Sequence, residues 1–183
     1  MVFLWWYFIG SVFFRLSTHP FQAIQPAYWL LAGILLTIIL IADILYYLVP
    51  DEAVLALLII TILYRVTLTL GGQMQLLDLG YSFLSALVLV ASFYGLHWIT
   101  RGKGFGLGDV KLAAPLALIL GWPKVLVGVF LAFLLGAVFG VGLLVTRKAR
   151  FGYAVPFAPF LIIGTLLSLV FGQQIWQSYL SLL

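Results

Sequence analysis

Residues 27–48 read AYWLLAGILLTIILIADILYYL, a stretch with no basic residue and one acid, Asp43. At a rise of about 1.5 Å per residue, a helix of this length reaches about 33 Å, enough to cross a hydrocarbon layer of about 30 Å. Backbone N–H and C=O groups have no water to bond in lipid, so such a run has to be helical. The rest of the chain is of the same kind. Of its 183 residues, 65% are hydrophobic and 8% charged, and the mean hydropathy is +1.24. A soluble globular domain is excluded by that balance. Further apolar runs fall at about 2–16, 53–70, 77–99, 111–121, 123–146 and 154–172. The expected fold class is therefore all-α, a polytopic membrane helix bundle of about six to seven helices. It divides into a short N-terminal helix and loop (1–26), a membrane core (27–172) and an uncharged tail (173–183). The first run has neither the charged start nor the small-residue cleavage site of a signal peptide, and is read as a helix. Run 111–121 is too short to cross the bilayer, and Gly121, Trp122 and Pro123 separate it from the next.

The net charge of +4 is small for so apolar a chain, and nucleic-acid binding is not expected. The basic residues instead orient the bundle, because Lys and Arg gather in cytoplasmic loops. Arg101, Lys103 and Lys111 surround one loop, and Arg147, Lys148 and Arg150 another. Two helical segments separate the loops, so both lie on one face, assigned to the cytoplasm. Counting back, the turn at Val49, Pro50 and Asp51 lies there too, while Arg15, Lys124 and Arg65 fall toward the opposite face.

The chain has five acids, Asp43, Asp51, Glu52, Asp78 and Asp109, and no cysteine. Disulfides, thiolate zinc sites and a cysteine nucleophile are thereby excluded. Asp51 and Glu52 follow Pro50 at a helix start, where a carboxylate can cap free N–H groups; Asp78 reads likewise as an interfacial cap. Asp43 differs. It lies inside an apolar helix about one and a half turns from the end, where an ionisable group usually faces a cavity or a partner. Asp109 enters the membrane from the same face at a similar depth. Two carboxylates close together in low dielectric cannot both ionise; they share a proton and act as one base and one acid. The base can take a proton from water attacking a peptide carbonyl while the acid donates to the forming oxyanion. That chemistry needs no metal and no cofactor, and two carboxylates are few for a hard-cation cage.

Asp109 follows the stretch RGKGFGLGDVKL (101–112), with glycine at every second position from Gly102 to Gly108. Gly104, Gly106 and Gly108 are expected to permit backbone angles denied to other residues and to let a substrate strand approach the acid. Gly102, farther away, is expected to tolerate alanine. A phosphate loop is excluded, since no GxxxxGK[ST] occurs and the GxGxxG spacing fails.

GFGLGDVKL resembles the GxGD motif of type IV prepilin peptidases, membrane aspartic proteases similar to archaeal preflagellin peptidases. ADILYYLVPDEAV resembles that family's first aspartate region, and PFAPF (156–160) its late proline-phenylalanine segment. The resemblance implies that Asp43 pairs catalytically with Asp109, that Asp51 supports the turn, and that the partners are a prepilin or pseudopilin precursor and membrane lipid. It implies an inner-membrane, multi-pass protein with its active site toward the cytoplasm, and a substrate with a Gly at the cleaved position and a Glu soon after. Lys111 can attract that Glu or a lipid phosphate. Many bacterial members carry a cysteine-containing cytoplasmic segment and also N-methylate the product; without those cysteines, methylation is not expected here. Presenilins and signal peptide peptidases share a GxGD acid, but their first acid sits in a Tyr-Asp pair deep in a span. A non-catalytic ion- or proton-coupled protein would require more intramembrane polar groups.

Overall fold

The computed structural model describes residues 24–102, 105–146 and 155–182. The helix expected at 2–16 lies outside them, as do Lys103, Gly104, Arg147, Lys148 and Arg150. Among the described residues there are six helices and no strand: α1 (Ile24–Tyr46), α2 (Asp51–Leu70), α3 (Leu76–Ile99), α4 (Leu107–Leu120), α5 (Lys124–Val145) and α6 (Ala158–Leu180). All but α4 are long and apolar enough to cross a membrane. The all-helical polytopic bundle read from the sequence is the fold.

The breaks follow local chemistry. Tyr47 takes φ 53° and ends α1, and Pro50 stands before α2, where its missing N–H costs no helical bond. Gly72 (φ 70°) closes α2, and Gly121 (φ 67°) stops α4 just before Trp122 and Pro123. Two boundaries differ from the hydropathy reading. Helix α4 begins at Leu107, so Gly108 and Asp109 belong to its first turn instead of a loop; glycine's poor propensity matters least where N–H groups have no intrahelical acceptor. Helix α6 runs on to Leu180, through residues assigned to the tail, because Gln173, Gln174 and Gln177 lower hydropathy without opposing helix.

Short connections make sequential helices antiparallel, so the ends of α1, α3 and α5 and the starts of α2, α4 and α6 share one face. Helix α4 is central. It packs chiefly on α3 and also meets α2, α5 and α6, and from Val110 to Leu120 only Lys111 and Ala114 are not buried. A helix apolar all round is what such a position demands. Helices α5 and α6 approach most closely through small residues: a Cβ on Gly164 would lie 2.5 Å from the Gly128 carbonyl oxygen and 2.8 Å from the Ala132 nitrogen. Small side chains let backbones approach where no hydrophobic effect drives association. The outward faces carry large apolar side chains such as Leu87, Phe130 and Val138, as lipid contact requires.

Candidate active site

Asp43 and Asp109 are both buried, with relative exposures of 5% and 8%. They come from different helices. Asp43 sits one turn before the end of α1, and Asp109 in the first turn of α4. Asp43 Oδ2 accepts the Ala158 backbone N–H at 3.2 Å. Ala158 opens α6 with Pro159 behind it, so the first N–H of α6, which has no partner within the helix, is given to the acid. This gives the PFAPF segment a physical task. Helix α4 is not one of the membrane spans; there burial, and next the Asp43 charge, push the Asp109 carboxyl up to about 7, with a Gly106 backbone hydrogen bond pulling it down. The two acids thus share an electrostatic environment, and among the described residues neither forms an ion pair, the one such pair being Lys111–Asp51.

That pair bears on Lys111 and on Asp51. Lys111 Nζ lies 2.8 and 2.7 Å from the two oxygens of Asp51, so it joins the start of α4 to the start of α2. Asp51 is the first residue of α2 behind Pro50, and its side chain makes no capping bond; the ammonium has taken the carboxylate. Asp78 is likewise in the first turn of α3 without a side-chain cap.

The glycines serve space more than backbone freedom. Gly106 has φ −73° and ψ 147°, extended backbone open to any residue, but a Cβ there would lie 3.3 Å from Asp109 Oδ2. A Cβ on Gly108 would come within 2.8 Å of Val49 Cβ. Gly108 therefore admits Val49 of the α1–α2 turn, not an open approach path. Gly104 lies outside the described residues. Gly102, expected to tolerate alanine, has φ 73° and His97 Cε1 3.1 Å from where its Cβ would lie, so positive φ and the ring both oppose a side chain there.

Several contributors had no signal in a single sequence. The Phe105 carbonyl accepts from His97 Nδ1 at 2.7 Å, anchoring the segment before Gly106. Phe93, Phe105, Phe133 and Phe157 form one aromatic cluster, with Phe93 and Phe105 centroids 4.7 Å apart and Phe133 and Phe157 5.1 Å apart. Phe105 and Phe157 each adjoin a residue whose backbone bonds one of the acids, so the cluster closes the apolar side of the site. No group of three His, Cys, Asp or Glu able to hold a metal occurs among the described residues.

The profile of the type IV leader peptidase family matches residues 29–141, which include both acids, Asp51 and Lys111. A prepilin leader peptidase/N-methyltransferase of Aeromonas salmonicida is 34% identical over 171 residues, covering 91% of this chain and 58% of the relative. Proteins of that name from Stutzerimonas stutzeri (34% over 139 residues; 75% and 47%) and Bacillus subtilis (29% over 149 residues; 81% and 57%) also match. The chain spans about half the length of these relatives. No solved structure matches it. With the family profile over the greater part of the chain and one-third identity across nearly all of it, the chain belongs to the type IV leader peptidase family.

Proposed function

We propose that this chain is a membrane aspartic endopeptidase that removes the leader peptide from prepilin or pseudopilin precursors at the cytoplasmic membrane face, with Asp43 and Asp109 as the acid pair. The observation that carries this reading is the burial of two carboxylates on separate helices, neither of them in an ion pair among the described residues, while Asp43 raises the Asp109 carboxyl. Asp109, with its carboxyl raised to about 7, holds the shared proton near neutrality. Asp43, already an acceptor from Ala158, is the base. It removes a proton from a water that attacks the scissile carbonyl carbon; Asp109 gives its proton to the carbonyl oxygen. Collapse of the tetrahedral diol then breaks the C–N bond as a proton passes to the leaving amine, and the pair returns to its starting state.

The relatives' printed names supply the substrate class, a prepilin leader. The cytoplasmic assignment rests on Arg101 and Lys111 at the acid end of the bundle and on the basic residues Arg147, Lys148 and Arg150 in the sequence between α5 and α6. Membrane lipid surrounds the outer faces.

The test is cleavage of a tagged prepilin by the purified chain in lipid vesicles, with the new amino terminus sequenced. Asp43→Asn and Asp109→Asn keep shape and remove titration, so each should abolish cleavage with the helical signal intact. Near-parental turnover by either variant would refute the pair.

A further inference from the structure

Arg65 is a guanidinium placed inside a membrane span, where charge is expensive, and no acid forms an ion pair with it among the described residues. Its donors go to the end of α4. Nε donates to the Leu118 carbonyl at 2.8 Å and Nη2 to that of Ile119 at 3.1 Å, while Nη1 reaches Ser82 Oγ at 3.2 Å and Met74 Sδ at 3.4 Å. Leu118 and Ile119 stand in the last turn of α4, whose carbonyls have no intrahelical partner and carry the negative end of the helix dipole. The socket is built around the cation. A Cβ on Gly121 would lie 2.9 Å from Nη2, and Ser82, itself buried, donates to the Asp78 carbonyl and so keeps its oxygen turned to the guanidinium.

Helix α4 has special need of such a fixture. At fourteen residues it is about 21 Å long, too short to be held in height by water on both sides of a bilayer. Its upper end is tied by the Lys111–Asp51 pair and the Gly108–Val49 contact. We infer that Arg65 is a positioning residue, which grips the far end of α4 and so sets the height at which Asp109 faces Asp43. Ile119 is about 15 Å along the axis from Asp109, beyond a useful direct charge effect, but a helix is stiff and passes on an axial slip. A displacement of about 1 Å at reacting groups can lower a rate about 10²-fold.

The consequence for turnover rests on the acid-pair reading; the consequence for helix position does not, and the two are measured separately. The chain has no cysteine, so spin labels can be placed singly. One pair, Leu48→Cys with Leu107→Cys, reports the acid end; the other, Val138→Cys with Phe171→Cys, reports α5 against α6, and all four positions are exposed. In the reconstituted chain, Arg65→Met should shift or broaden the first distance distribution and leave the second unchanged. It should lower kcat for prepilin about 100-fold with KM held within about twofold, and Arg65→Lys should restore at least about tenfold of that loss.

An unchanged first distance with unchanged kcat overturns the inference, and so does a loss confined to KM. If Arg65→Met disturbs both label pairs, Ser82→Ala, which removes one guanidinium contact, decides: a selective broadening of the first pair with a several-fold fall in kcat supports positioning, and parental behaviour rejects it. A parent that cleaves nothing would count against the acid pair, while the distances would still judge Arg65.

Discussion

Gly108→Ala separates the packing role of the glycine segment from that of a linker or a substrate path. The added Cβ would sit 2.8 Å from Val49 Cβ and 2.9 Å from its Cγ2, against an ordinary carbon contact of about 3.5–4.0 Å. The shortfall is therefore about 0.7 Å or more, and rotation of Val49 cannot relieve it, because Cβ is fixed to the backbone. Either the α1–α2 turn or the first turn of α4 must yield. Overpacking of this kind costs about 1–3 kcal/mol, and a yield approaching 1 Å beside Asp109 lowers turnover by up to about 10²-fold. A position without the clash would behave oppositely, since alanine is better than glycine in a helix by about 1 kcal/mol. The assay is kcat for prepilin cleavage in vesicles, with thermal melting in detergent alongside. Val49→Gly in the Gly108→Ala background should recover most of the loss, and Gly80→Ala, with nothing within 4 Å of the new Cβ, should keep parental kcat and melt no lower than the parent. Parental activity in Gly108→Ala, or a loss that Val49→Gly leaves untouched, would refute the packing account.

In the proposed mechanism Asp109 works protonated, and its carboxyl is raised to about 7 by burial and by Asp43, so kcat should fall about tenfold per unit as pH rises above that value. A kcat that rises through pH 7 would make Asp109 the base. Asp51→Lys and Lys111→Asp should each weaken activity, and the double reversal should recover a few-fold, the scale of an exposed pair of about 0.2–1 kcal/mol; lack of recovery would return Lys111 to a substrate contact. Cleavage should survive EDTA, because the proposed chemistry runs on two carboxylates, and inhibition reversed by a divalent ion would replace it with a metal mechanism.

Composition and hydropathy were enough for the medium, the helical class and most span positions, because a helix in lipid satisfies its backbone hydrogen bonds within itself and that constraint acts locally. The sequence also singled out Asp43, since an acid in IILIADILYYLV stands against every neighbour. Boundaries were less legible: hydropathy could not carry α6 past Gly172 to Leu180 or place Gly108 and Asp109 within a helical turn.

Tertiary structure alone decided what each residue meets. Ala158 serves Asp43 across 115 positions of chain, Lys111 serves Asp51 across 60, and Arg65 the end of α4 across 53 and 54. None of these pairings has a local periodicity to read. The same limit explains Gly108 and Gly102, whose spacing looked like one loop motif, while their empty Cβ positions belong to Val49 and to His97. Helix formation is written in consecutive residues, but the identity of a close neighbour depends on how completed helices stack, and that is fixed only when α4 is enclosed by the others.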